Sequence, residues 1–447
     1  MYKLTFTLKQ HTPIIHFQYE QDGATLRASE VKPKLDKYLI TNCISQIQKQ
    51  WYINDASQAL NYKLSFENIE MKTFSIRKKT NFPCFFGDMG NDYDGNEKGL
   101  SFATDPFKGT IRSLHSGLFD LIIPHLADFF ATTNFGTRQS KGFGSYSVIE
   151  LNKSDIIFPH RHYKYRFDVD CDNAQNWLDQ NWQLFENIDW FYRSLRSGIN
   201  IKKGQDSLYF KSALFMFLYN QQPRIQWDKK TIKAHYFNRK DLTITEETKK
   251  GINTTTIKYI DSQNKEHGFP DILNSPSFQT NDLLLKDYRD LFGLSSEESW
   301  YSYKADITKA QAAFINGRWS KADEDATTVT RYQSPILIKP ILQSNGHYIV
   351  YFDAKTGELE KEFYGTSFLY FLKHKDGRIS SSPSLSTFNK SDLVLPIATS
   401  FNFEDFFHYA FSSIDLNSHI KGGETHEELQ RIKESLTDIY SQLKKQL

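Results

Sequence analysis

The sequence predicts an α+β protein made of two tandem βαββαβ (ferredoxin-like, RRM-like) units with insertions and a C-terminal helix. Three observations lead there. Residues 1–155 read in order as strand, helix, strands, helix, glycine-rich loop and strand, the βαββαβ sequence. Residues 156–447 run through a similar but larger and more decorated series. The length, 447 residues, suits two or three domains at about 150 residues each.

Each element has its own signal. Residues 2–8, YKLTFTL, alternate apolar and polar as a half-buried strand does. Ser29 reads as an N-cap, and Leu35, Leu39 and Ile40 form the stripe of a helix near 30–49, with Pro33 early enough to be tolerated. Strand-like residues 62–76 end at the basic run Arg77-Lys78-Lys79. Residues 113–133 carry Leu114, Leu118, Leu121, Ile122, Leu126 and Phe129 at helical spacing, with a bend expected at Pro124. In the second half, 163–169 reads as a strand, and 174–197 and 207–219 read as helices. The polar, Thr/Asn/Gly-rich stretch 240–280 reads as a mobile insertion. Residues 282–294 read as a helix stopped by Gly293, and a hairpin is expected around Ser344-Asn345-Gly346. Residues 424–447 place Leu429, Ile432, Leu436, Ile439, Leu443 and Leu447 on one side of a terminal amphipathic helix.

Composition excludes more than it assigns. Fifty-five basic residues face 53 acidic ones, a net charge of +2, so no global field announces a polyanion partner. The balance is uneven along the chain: Arg193–Lys250 holds 13 Lys/Arg against 5 Asp/Glu, with Tyr209, Trp227, Tyr236 and Phe237 interleaved. Cations that track a backbone, with rings between them, suit single-stranded nucleic acid. Cys43, Cys84 and Cys171 lie far apart without a CxxC pair, which argues against a disulfide framework or a cysteine zinc site. No leader-like or membrane-spanning segment is evident, so a cytoplasmic location is expected. The loop 87–99, with Asp88, Asp92 and Asp94, lacks the spacing of a calcium loop and reads as a turn. No cofactor, metal or small-molecule substrate is expected.

The most informative segment is 134–145, NFGTRQSKGFGS. Gly136, Gly142 and Gly144 allow close backbone approach, so their N–H groups are candidates to meet phosphate oxygens. Arg138 and Lys141 supply charge, Ser140 and Ser145 hydroxyls, and Phe143 either stacks on a base or docks in the core. The loop follows a helix and precedes a strand, the reverse of a P-loop or a Rossmann turn, and no GK[ST] tail is present.

In that setting the loop resembles the glycine-rich signature of the RAMP superfamily of CRISPR-associated RNA-binding proteins. Gly142-Phe143-Gly144 matches its second half. Asn134-Phe135-Gly136 matches its first, with Asn in a glycine position that tolerates left-handed backbone. TPIIHF, then GATLRASEVKPKLDKYL, resembles the family's first strand and basic first helix; FYRSLRSGIN, YFKSALFMFLY, YRDLFGL and RYQSPILIKPI resemble the two-domain terminal RAMP subunit of type III-B (Cmr) effector complexes. The resemblance implies two ferredoxin-like domains in an antiviral ribonucleoprotein, at the filament end distal to the guide's 5′ tag. It implies single-stranded RNA, guide or target, and other effector subunits as partners. The residues expected at RNA are Arg27, Lys32, Lys34, Gly136, Arg138, Ser140, Lys141, Gly142, Phe143, Gly144, Arg193, Arg196, Lys202, Lys203 and Lys211.

The expected role is non-catalytic. A related guide-processing endoribonuclease uses a histidine without metal, which makes His11 and His16 the alternative catalytic candidates. A protein–protein scaffold, resting on the terminal helix and the aromatic second half, is the third reading.

Overall fold

Leu4, Phe6, Leu8 and Gln10 alternate with more exposed neighbours along the first strand, β1 (Tyr2–Gln10), and point into the core. The computed structural model describes residues 1–16, 26–54, 58–75, 82–83, 99–172, 174–221, 242–249, 252–260, 266–271, 286–300, 305–315, 318–322, 328–329, 332–354, 363–374 and 394–447. The basic run 77–79, Cys84 and residues 87–98 of the Asp-rich loop lie outside them.

Helix α1 (Ala28–Cys43) buries Val31, Leu35, Leu39 and Cys43, four residues spaced by one helical turn. Each full burial of such a side chain contributes about 1.5–3 kcal/mol. The helix starts one residue before the expected cap, with Arg27 at the N-cap, and ends at Cys43 rather than near 49; two 3-10 turns follow. Strands β2 (Tyr62–Phe66) and β3 (Phe107–Ser113), helix α2 (Ser116–Ala131) and strand β4 (Tyr146–Leu151) complete the series. They form an antiparallel sheet ordered β2-β3-β1-β4, extended by Ser154–Asp155. The strand–helix–strand–strand–helix–strand order read from the sequence is therefore present. The expected 62–76 strand is two strands: Lys72–Ser75 leaves the main sheet and pairs with Gly99–Phe102, which also pairs with Ile14–His16.

The chain divides into two compact units, and the first does not stop at 155. It comprises Met1–Phe191, Ile336–Lys355 and Ser435–Leu447. Strand β5 (Tyr165–Val169) explains the extension: it pairs with β7 (Tyr348–Ala354), which pairs with β6 (Ile336–Leu342). Helix α3 (Trp177–Arg196) lays Phe191 on Phe167 and Phe352, both at 5.0 Å between ring centroids. No local pattern reveals that residues 336–355 return to an N-terminal core. The expected hairpin turn is present, with Gly346 at φ 88°. The terminal helix α4 (Glu427–Lys444) buries the predicted stripe but ends before Leu447, which is exposed. Gln442 of the helix and Gln446 just past its end accept from the Asp168 and Arg166 amides at 2.7 and 3.0 Å, covering the free edge of β5.

The second unit comprises Tyr192–Pro335 and Thr356–Glu434. Its described strands lie in three separate antiparallel sheets rather than in one four-stranded βαββαβ sheet. Residues 207–210, expected to open a helix, belong to a strand, Asp206–Phe210, paired with Ile199–Lys203 because SLYF follows a period of two; the helix starts at Ala213, capped by Ser212. The 240–280 stretch contains three paired strands, Leu242–Lys249, Ile252–Ile260 and Glu266–Asp271, in keeping with its Thr and Ile content. Of the expected 282–294 helix, residues 282–285 lie outside the described residues, and among the rest Arg289–Phe292 makes a single 3-10 turn. Helix Phe403–Ser412 sets Phe406 against Phe292, at 5.3 Å.

Candidate functional site

Residues 134–145 form a loop closed by an antiparallel bridge between Asn134 and Ser145, where the Phe135 amide donates to the Gly144 carbonyl at 3.0 Å. Gly136, Gly142 and Gly144 take φ values of 77°, 92° and 64°. A Cβ on Gly144 would stand 2.0 Å from the Phe135 carbonyl oxygen, and one on Gly136 would stand 2.5 Å from Ile14 Cγ1. The glycines are thus required by the protein's own backbone. Their amides are also engaged: Gly136 donates to Glu30 Oε1 (2.7 Å), Gly142 to the Gln139 carbonyl (3.2 Å) and Gly144 to the Pro13 carbonyl (2.9 Å). This corrects the expectation that these N–H groups face phosphate.

Strand β6 closes one side of the loop. Ser145 Oγ donates to the Pro340 carbonyl at 2.8 Å, and Asn134 Nδ2 donates to the Ile338 carbonyl at 2.9 Å. Of the two roles open to Phe143, the structure shows docking in the core. Its ring is 0% exposed and lies flat on Phe185, 3.8 Å away and 7° from parallel. Ser140 and Lys141 are also buried. Asn134 is not left-handed; it works through its side chain, which also donates to the Gln139 carbonyl at 2.7 Å. The outward part of the loop is Thr137, Arg138 and Gln139, with Arg138 left-handed at φ 60°.

The cations of α1 border this loop. Lys34 donates to Glu30 (3.2 Å), the Asn134 carbonyl (3.1 Å) and Gln139 Oε1 (3.0 Å). Glu30 in turn holds Gly136, so the first turns of α1, opened by exposed Arg27, form one seam with the loop. Lys32 faces elsewhere, paired with Asp36 at 2.7 Å and lying over the Tyr62 ring. The remaining candidates belong to the second unit. Arg196 binds the Arg289 and Gly293 carbonyls and Asp290; Lys203 pairs with Glu428 at 2.7 Å; Lys211 lies over the Phe215 ring. Lys202 is exposed and Arg193 is half-buried. Trp227, Tyr236 and Phe237 lie outside the described residues.

His11 is only 2% exposed. Its Nδ1 accepts from the Leu342 amide at 3.0 Å, so the ring proton sits on Nε2, which donates to Ser147 Oγ at 2.7 Å. Burial, then the charges of Lys339 and Lys9, hold its pKa well below the usual imidazole value. A neutral ring with both nitrogens occupied is a strut between β1, β4 and β6, which corrects His11 as an accessible general base. The His16 side chain lies outside the described residues. Cys43 and Cys171 are reduced and buried, and burial pushes the Cys171 thiol up to about 12.

A model of the Cmr1 N-terminal domain matches residues 1–199, and a model of the Cmr1 C-terminal domain matches residues 209–436. The chain belongs to the Cmr1 family. Membership makes it a RAMP subunit of a type III-B CRISPR (Cmr) effector complex. Among solved structures, apo Cmr1 from Pyrococcus furiosus is similar at 12% identity, over 63% of this chain and 91% of its own, with a TM-score of 0.30. A backbone agreement that loose defines no residue correspondences. No curated protein matches the sequence. Among the described residues no helix is long and apolar enough to cross a membrane.

Two features of this Cmr1-family chain escaped the sequence reading. Lys339, in the apolar run ILIKPIL, is buried and donates to the Phe130 and Thr133 carbonyls and to Asn134 Oδ1 at 2.8, 2.9 and 3.0 Å. In the second unit, Lys309 meets Asp290 at 2.5 Å and Glu298 at 2.6 Å, Arg289 meets Glu298 at 2.7 Å, and Tyr370 donates to Asp287. Burial raises both aspartates there. For Asp287, Lys309 and Arg289 outweigh it and hold the carboxyl low, whereas Asp290, which also feels Asp287, is pushed up. A lysine inside an apolar run was the available signal for Lys339; Lys309, in ADITKAQAAFI, offers none as clear.

Proposed function

We propose that this chain is the non-catalytic RNA-holding subunit of its effector complex, gripping guide or target RNA near the guide's 3′ end through the backbone. Membership of the Cmr1 family over both halves of the chain carries this reading. The seam of α1 and the glycine loop supports it: the internally bonded loop carries Arg138 on its outward part, Lys34 bonds to the loop, Arg27 opens the same helix, and the glycines serve as framework. The buried, doubly bonded His11 favours it over the endoribonuclease. Backbone contacts position without reading sequence, a logic stated for DNA and extended here to RNA.

Fluorescence anisotropy of a labelled single-stranded RNA on the purified protein tests the proposal. If about four phosphates are neutralised, the log–log salt slope is near −3. Arg27→Ala/Arg138→Ala should weaken binding and flatten that slope, with repeat RNA left uncut in EDTA. A slope of zero, or a variant with unchanged affinity, overturns the reading.

A further inference from the structure

The main sheet of the first unit has one covered face and one open face, and the open face is unevenly charged. Along β1, β2 and β3 successive side chains alternate between the two. Leu4, Phe6, Tyr62 and Ile111 join residues of α1 and α2 in one core, and the residues between them point the other way. Register sets these outward residues in rows across the three strands. Lys63, Arg112 and Lys3 stand abreast in one row, and Ser65, Thr110 and Thr5 in the next. In the row beyond, Lys108 and Thr7 are flanked by acids: Glu67 accepts from the Lys108 amide at 2.6 Å, and Glu150 stands opposite Thr7.

The cation row is costly to the fold on its own. Side chains directly opposite on neighbouring strands start about 4.5–5.5 Å apart at Cβ, and like charges there repel. Lys3 and Lys63 are exposed and Arg112 is half-buried, and among the described residues none of the three makes an ion pair. Lys9, farther along the same side of β1, does have a partner, the Leu342 carbonyl at 3.1 Å. The Lys3 end of the face is therefore the open one. Its two rows contain cations and hydroxyls, with no apolar side chain and no ring. That is not the centre of a protein–protein contact, which is depleted in lysine, nor a platform for stacking bases. Ammonium, guanidinium and hydroxyl donors together are the set that meets phosphate oxygens.

We propose that the Lys63–Arg112–Lys3 row, with the hydroxyl row beside it, is a second RNA contact that takes the phosphate backbone of a single strand. This rests on the RNA-holding reading above and adds to it the sheet face turned away from α1, separate from the glycine-loop seam. The test titrates the full chain against a fluorescein-labelled polyuridine strand by anisotropy over a range of salt. Lys3→Gln/Lys63→Gln changes two exposed side chains and should flatten the salt slope by about 1.4, or about 0.7 for each phosphate released. The variant's deficit in affinity should then be about sevenfold larger at about 50 mM salt than at about 200 mM. Lys108→Gln, in the row that holds the acids, should leave the slope as it is. If the wild type binds with a salt-dependent affinity and the double variant matches it within twofold throughout, the sheet-face inference alone falls. It also falls if Lys108→Gln flattens the slope by about 0.7, because the effect is then one of general charge. If the wild type does not bind, the functional reading falls with it. If the double variant instead loses complex subunits that co-purify with the wild type, at unchanged RNA affinity, the row is a protein contact and the inference is overturned.

Discussion

Two buried lysines, one in each unit, solve the same problem in opposite ways. Lys339 donates to the Phe130 and Thr133 carbonyls, at the C-terminal end of α2, and to the Asn134 amide oxygen. A helix end supplies unsatisfied carbonyls and partial negative charge, both of which favour a cation. Lys309 sits between Asp290 and Glu298, with Arg289 and Arg196 completing the network. Here each charge is tolerable only because the others are present. A site built on carbonyl and amide oxygens gives up charge-assisted hydrogen bonds when its lysine is removed. An ionic site is left with uncompensated buried charge.

Lys309→Met should therefore have the largest effect, about 3–5 kcal/mol of destabilisation, because it strands two acids beside each other. Chemical unfolding of the purified chain measures it. A cost below about 1 kcal/mol would mean that the network rearranges freely, and the contrast with Lys339 would dissolve.

Lys339→Met should cost less, about 1.5–3 kcal/mol, the range for hydrogen bonds made by one charged donor. Its second consequence is local. Lys339 holds Asn134, and Asn134 opens the glycine loop, so amide exchange in 134–145 should rise before the sheet strands are affected. Uniformly raised exchange would show that Lys339 supports the whole unit rather than the loop.

What the sequence revealed follows the range of the interactions involved. The βαββαβ order of the first unit, the 344–346 turn and the terminal amphipathic stripe are local periodicities, and each was legible. The glycine loop was legible as a motif but not as a mechanism, because the groups that occupy its amides and bury Phe143 come from elsewhere: Pro13, Glu30, Phe185 and β6. At 207–210 two local signals competed, and the period of two in SLYF, paired with the neighbouring Ile199–Lys203, won over the apolar run that suited a helix. The return of 336–355 to the first unit, and the buried roles of Lys339 and His11, depend on contacts between residues more than 130 positions apart. No spacing rule reaches that far.

A third cation sits at the surface. His347 follows the β6–β7 turn, with Nδ1 2.6 Å from Asp170 and Nε2 2.9 Å from Asp172. The hydrogen bond to Asp170, aided by the charges of both aspartates, raises its pKa above the ordinary 6.5. A folded value above the unfolded one makes the protonated clasp stabilising below the unfolded pKa; that contribution is lost as pH rises through the folded value. Thermal unfolding followed from about pH 5.5 to about pH 9 should fall with a component that His347→Gln removes. The effect should be the smallest of the three, since Asp170 is 76% exposed and salt screens the pair. The turn also has a neutral tie, Gln180 Nε2 to the Gly346 carbonyl at 2.5 Å, which keeps it docked after the imidazole has lost its proton. A pH component as large in high salt as in low salt would place His347 with the buried ionic network instead of at the screened surface.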